Sequence, residues 1–452
     1  MSALDLDAVA AALRADARFS AWQVSDARGR STQRYDVFGA PEVRRVVETH
    51  VIDVRVHVAH DDGTLGESSF VVDKRAAIGA QLDAAFSRAR LVKNKRWTLP
   101  GPQAAVAVDA VDAHIVEDAG GASDALMAAI ARGLPSTSSA VRCCSAEAFC
   151  DFRRVHLVNS LGLDRTREET SAFVEYILLA AATNRGATGG DETETYSSMR
   201  TRTLAADALA ARVDADARSV IDAQRARMPD SGVVDVVLVE QGIDEIYDAF
   251  VAHAGGGAAF EGWSKLKPGK AVVDDGPDDV SGDVGDRLSL VSDPTVPGGL
   301  ASFAFDDTGL SGAKVVVVDD GIFVGRPLEQ RYACWLDQAP TSSWGNVVVA
   351  SGRRTRAELL VPGPRPLLLL ERFSQLTPHP TTGSFSGELR LGYAIDAAGR
   401  APPAPLKGGS LTGNVFDAFR RAQFSAERAV RGRLHAPAAL RLNAVQFTGA
   451  DS

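Results

Sequence analysis

The stretch LAADALAARVDADARSVIDAQRAR (204–227), followed by MPDSG (228–232) and VVDVVLV (233–239), decides how this chain is divided. The first segment carries the clearest helical pattern in the sequence, and its length predicts about six to seven turns at 3.6 residues each. Pro229 and Gly232 stop it. A long helix that runs into a Pro/Gly/Asp linker, followed by a fresh Val-rich strand, marks a domain boundary. The reading is an α+β chain of two domains: a mixed α/β N-terminal domain over 1–230 and a strand-rich C-terminal domain over 231–452.

Working upstream, Leu6, Val9, Ala10 and Leu13 share one face of an amphipathic opening helix. Alternating valines over 51–60 predict a half-buried strand closed by an Asp-Asp-Gly turn, and a helix fits 75–92. A short helix over 122–132 takes Ser123 as its cap and stops at Gly133. Residues 145–182 have a β-like pattern. Downstream, VVVV-DDG-IFVG (315–325) reads as a hairpin. Further strands are expected at Leu359–Val361, Leu367–Leu370, Leu389–Ile395 and Leu440–Phe447, with helices at 327–337 and 412–422.

The 49 Lys and Arg against 58 Asp and Glu leave a net charge of −9. No dense basic run is present, which argues against a nucleic-acid partner. The longest apolar runs fall well short of the ~20 residues of a membrane span, and the start lacks the basic and apolar regions of a signal peptide. Cys143, Cys144, Cys150 and Cys334 fit neither a disulfide framework nor a C-x-x-C pair. A cytoplasmic protein is the expectation. The Asp-rich segment 274–286 lacks the D-x-D-x-D-G spacing of a calcium loop and reads as a solvated loop.

The eight histidines form no H-E-x-x-H or H-E-x-x-x-H, and neither a G-x-S-x-G elbow nor a Walker loop occurs. His57 and His60, three apart on a strand, fall on opposite faces. By residue chemistry alone, no complete catalytic constellation is visible.

Several stretches nevertheless share a collinear order with one family. They are Asn159-Ser160-Leu161-Gly162; Gly190-Asp191 with Tyr196-Ser197; LASFAFDDTG (300–309); VVDDGI (317–322); Pro340-Thr341 with Gly345-Asn346; TGSFSG (382–387); and PLKGGSLTGN (405–414). Over about 300 residues this order resembles the TldD/TldE family, in which TldE is also called PmbA. The family splits into a catalytic type carrying H-E-x-x-x-H and a downstream Cys on zinc, and a TldE type without the metal site.

The helix expected over Ile243–Ala254 is where the catalytic type carries its motif. Here Asp248 replaces the first His, Ala249 replaces the Glu, His253 is retained, and the Cys position falls near Ser425. A methyl group cannot act as a general base, and the remaining donors fall short of the three that catalytic zinc keeps. The resemblance therefore implies a TldE-like subunit with no catalytic residues, no metal and no cofactor of its own. Its partner would be a TldD-like subunit bearing zinc, and the pair would cleave small or unfolded peptides, such as modified-peptide precursors. In the family the substrate lies extended as an added strand. Thr381, Thr382, Gly383, Phe385, Ser386 and Gly387 are the candidate groove, glycines there allowing another backbone to approach. The competing reading is a stand-alone homodimeric peptide-binding or scaffold protein.

Overall fold

A computed structural model describes residues 5–135, 140–181, 193–273, 285–396 and 403–450. The N-terminal domain is built on one antiparallel sheet of six strands, all of them before residue 202. Its longest strands, Ala21–Val37 and Ala40–Ala59, form a hairpin whose turn residues Phe38 and Gly39 both have positive φ. A second long pair, Val141–Asn159 and Asp164–Ala180, is closed by Ser160–Leu163. There Asn159 Oδ1 accepts from the amides of Leu161 and Leu163 at 2.9 and 3.1 Å, and Gly162 has φ +86°. The Asn-Ser-x-Gly run is thus a side-chain-stabilised turn.

Period-two burial along Asp164–Ala180 puts Ala172, Val174, Tyr176 and Leu178 on one face. The helices Ala119–Gly133 and Ala206–Ala223 cover it. Ala206–Ala223 buries Leu209, Val213, Ala217 and Val220, and is shorter than the spacing predicted because Gln224–Arg227 leave the helix to meet Pro405 and Lys407. The Ala119–Gly133 helix is capped by Asp118, not Ser123, which sits inside the first turn and donates to the carbonyl of Gly120.

In the C-terminal domain, Gly232–Val239 is buried on both faces and lies between parallel Leu367–Leu376 and antiparallel Ala439–Thr448. Ser410–Asn414 and Ser384–Ile395 continue the sheet, and Ser384–Ile395 also pairs with Leu367–Leu376, so five strands close on themselves. A separate six-stranded sheet contains the 315–323 hairpin. The Gln241–Ala254 helix packs its Ile243, Ile246, Tyr247 and Phe250 into the main core.

Two expected elements differ. Leu359–Val361 is not a strand: Thr355 and Glu358 form a capping box, and Leu359 ends the helix it starts. Residues 412–422 are not one helix, because Ser410–Asn414 pairs as a strand before the Val415–Ala418 turn of helix and the Phe419–Arg421 3-10 turn. The acidic stretch 274–284 and Gly190-Asp191 lie outside the described residues. Cys143 and Cys150 are buried, and burial pushes both thiols up to about 12, so they serve as core residues.

The one charge inside Gly232–Val239 is Asp235, 1% exposed. It pairs with Arg365 at 2.6 Å and Arg441 at 2.9 Å, and accepts from the amide of Ala444 at 3.0 Å. Asp235→Ala would strand the Arg441 guanidinium, itself mostly buried, without its partner. Removing one member of a buried pair costs about 3–5 kcal/mol. Urea unfolding of the variant is expected to show a loss of that size, and a change under about 0.5 kcal/mol, typical of a surface site, would contradict it.

Candidate functional site

The Gln241–Ala254 helix carries Asp248, Ala249 and His253, expected above at the positions of a zinc motif, and the fold sends them in different directions. Residues five apart on a helix are about 140° apart round its axis. Asp248 is accordingly 56% exposed and His253 fully buried. Asp248 pairs with Arg433 at 2.8 Å, one turn on from Asp244, which pairs with Arg431 at 2.6 Å. Burial raises the Asp244 carboxyl to about 6 against the pull of Arg431. Ala249 is buried against the core. Ser425, also buried, donates its hydroxyl to the carbonyl of Glu427 at 2.9 Å and accepts from the amide of Ala439 at 3.0 Å. That hydroxyl is occupied in closing a strand end, and no hydrogen bond joins it to Asp248 or His253.

His253 accepts the Lys265 amide at Nδ1, 3.1 Å away, which puts its proton on Nε2. Nε2 is buried and has no hydrogen-bond partner among the described residues. The ring meets Trp263 and Phe416 edge-on at 5.4 and 5.0 Å. Burial and the nearby Lys265 ammonium lower its pKa to about 4, so it is neutral at pH 7. A zinc ion does not fit this set: one donor is bound to an arginine, one position is a methyl group, and the hydroxyl is spent on backbone. Among the described residues no three His, Cys, Asp or Glu side chains are grouped to hold a metal.

The same cluster reaches the candidate groove. Lys265 stacks its ammonium over Phe416 at 4.6 Å and donates to the carbonyl of Thr382 at 2.5 Å. Asn414 donates to that carbonyl at 2.9 Å and caps the turn that carries Phe416. The TGSFSG and SLTGN runs are adjacent strands, with Ser384 opposite Asn414 and Glu388 opposite Ser410. Thr381, Thr382 and Ser386 are exposed, while Gly383, Phe385 and Gly387 face inward. The two glycines have a packing reason: a Cβ on Gly383 would lie 2.8 Å from the Phe416 ring, and one on Gly387 2.6 Å from Leu376. They make room for core side chains, which corrects the expectation that they admit another backbone.

Sequence reasoning passed over Lys265, Phe416 and Arg433. An aromatic two residues after Asn414 was the available signal for Phe416. Nothing in the local sequence ties Lys265 or Arg433 to the helix.

Residues 231–449 match the family model described as the PmbA/TldA metallopeptidase C-terminal domain. The fold resembles TldE from Thermococcus kodakarensis at 16% identity and a TM-score of 0.76, over 95% of this chain and 97% of that one. A putative modulator of a DNA gyrase from Thermotoga maritima MSB8 matches at 17% identity and 0.76, over 95% and 96%. Another from Bacteroides thetaiotaomicron VPI-5482 matches at 15% and 0.76, over 96% and 95%. At these identities the likeness is one of fold. No curated protein matches the chain.

A neutral buried His253 makes stability depend on pH with a definite sign. Its folded pKa of about 4 lies below the ordinary 6.5. Its contribution is therefore complete above about 6.5 and is lost as pH falls towards 4, at up to about 1.4 kcal/mol per unit. Comparing urea unfolding of the wild type and His253→Gln over this range isolates that share. Parallel pH profiles for the two proteins would refute it.

Proposed function

We propose that this chain, whose residues 231–449 match the PmbA/TldA metallopeptidase C-terminal domain, is a non-catalytic, TldE-like subunit of a heterodimeric zinc metallopeptidase. The observation that carries this is the Gln241–Ala254 helix, where Asp248 is held by Arg433, Ala249 is in the core and His253 is closed off by Lys265, Trp263 and Phe416. Chemistry would then come from a TldD-like partner that holds the zinc, acting on small or unfolded peptides such as modified-peptide precursors.

The exposed faces of both domains support a docked role. The outer edge of Ala40–Ile52 pairs with no strand among the described residues, since Leu65–Val71 covers only Asp53–Ala59. Phe38, Val43 and Val46 are exposed there. A bare edge with apolar side chains is a surface that soluble proteins normally cover. On the other domain, Thr381, Thr382 and Ser386 offer exposed hydroxyls and backbone to an extended peptide, within reach of the Lys265 cluster. Among the described residues no helix is long and apolar enough to cross a membrane.

The purified chain is expected to hold no stoichiometric zinc and to cleave no peptide alone, with turnover appearing on mixing with a TldD-type zinc subunit. One tightly held zinc by elemental analysis, with chelator-sensitive proteolysis by the chain alone, would sink the proposal. Two independent species in light scattering of the micromolar mixture would favour the stand-alone homodimer.

The groove has its own test, and the outward face is the place for it. Ser386→Trp adds bulk on the solvent side and is expected to change the stability of this chain by less than about 0.5 kcal/mol. Peptide turnover by the reconstituted complex should fall while assembly is unchanged. Full turnover with normal assembly would remove 381–387 from the groove.

A further inference from the structure

A second site is built at the junction of the domains. A cleft of about 700 Å³ lies between the Ala206–Ala223 helix, the C-terminal end of Gly232–Val239 and the middle of the parallel strand Leu367–Leu376. These strands are in register with Leu238 opposite Leu370. This volume falls within the range of small-molecule sites.

The backbone departs from regularity on both strands at this level. Glu240 ends the first strand at φ 55° and ψ −133°, a conformation that side chains other than glycine avoid. Such residues cost about 1–3 kcal/mol each and gather at functional sites. On the second strand the ladder with Ser384–Ile395 slips between Leu370 and Arg372, which leaves Glu371 without a partner in it. Slips of this kind re-aim a side chain. Both irregularities bring a carboxylate to the cleft.

The charges there are unevenly satisfied. Glu240 pairs with Arg212, and Arg372 pairs with Asp216. Glu371 accepts no hydrogen bond and makes no ion pair among the described residues, although it lines the cleft and burial raises its pKa against the opposing fields of Arg356 and Arg372. The guanidinium of Arg356, also in the lining, makes neither a hydrogen bond nor an ion pair among the described residues; only its backbone amide is engaged, by Glu427 at 2.8 Å. Arginines outnumber carboxylates in the lining by five to four, which disfavours a divalent cation. Glu371 and Arg356 each feel the other's field but have no hydrogen bond or ion pair, so both have room to take an opposite charge from a ligand that carries a cation and an anion.

We propose that this cleft binds a short peptide by both of its free ends, the α-ammonium on Glu371 and the α-carboxylate on Arg356. Peptides are favoured over single amino acids because the volume exceeds what one residue fills. The site uses only this chain. It goes beyond the proposed function, needs neither zinc nor a partner, and can fail while that reading stands.

The test is calorimetric titration of the purified chain with trialanine, N-acetyl-trialanine and trialanine amide. Free trialanine is expected to bind, and blocking either end should weaken binding about tenfold or more, the scale of one lost ionic contact. Glu371→Gln should erase the preference for the free ammonium, and Arg356→Gln the preference for the free carboxylate. Both changes should leave the melting temperature in place, because neither side chain has a partner to lose. Equal affinity for all three probes, no binding at millimolar trialanine, or retention of both preferences in the folded variants would overturn the proposal.

Discussion

The two domains are held in one arrangement by buried charges that take partners from both of them. Arg202, 6% exposed, donates to the carbonyl of Thr170 in its own domain and to those of Gly299, Leu300 and Ser302 in the other, with Glu169 3.5 Å away. Asp216 is fixed from its own side by Tyr176 at 2.6 Å and Ser197 at 2.5 Å, and from the other side by Arg372. A buried charge without its partner costs several kcal/mol. Separation of the domains would cost Arg202 its carbonyl partners at Gly299, Leu300 and Ser302 and Asp216 its pair with Arg372, leaving them the partners of their own domain, Glu169 and Arg212.

That docking explains sequence features that would otherwise pass for chemistry. The LASFAFDD run lies along the seam: Arg167 donates to the carbonyl of Phe305 and pairs with Asp307 at 2.7 Å, and Gln23 donates to the carbonyl of Asp307 at 2.8 Å. Asn346 of the Gly-Asn pair is fully buried, accepting from the Ala301 amide at 3.0 Å and donating to the Ser302 hydroxyl at 2.9 Å. Gly299 has no room for a side chain, since a Cβ there would meet Asn346 at 2.6 Å. These residues hold the seam by backbone geometry and hydrogen bonding.

The residues of the Gln241–Ala254 helix are settled by the same economy. An unpaired imidazole in a core is tolerable when neutral, and the Phe416 and Trp263 edges supply the surroundings that keep it so. The outward-facing Asp248 avoids that cost by meeting Arg433 at the surface. At the cleft Glu240 likewise meets an arginine, Arg212, whereas Glu371 has no hydrogen bond or ion pair among the described residues. Both retain backbone irregularity.

The sequence by itself determined the division into two domains, because the 204–227 pattern, the Pro/Gly stop and the Val-rich run are local signals. It also showed the β character of 51–59 and 145–180, though not the strand Ala21–Val37 that pairs with both of these stretches. The absence of H-E-x-x-x-H is a fact of residue identity. Tertiary structure alone decided the rest. Leu359 is helical because a capping box starts its turn, and 410–414 is a strand because Ser384–Glu388 lies beside it. Gly383 and Gly387 read as openings for a ligand until the positions of Phe416 and Leu376 were known. Lys265 reaches the carbonyl of Thr382, and Glu371 comes to line one cleft with Arg212, only after chain segments more than a hundred residues apart are packed together. Local propensity carries no information about such meetings, since they depend on which surfaces are buried against each other.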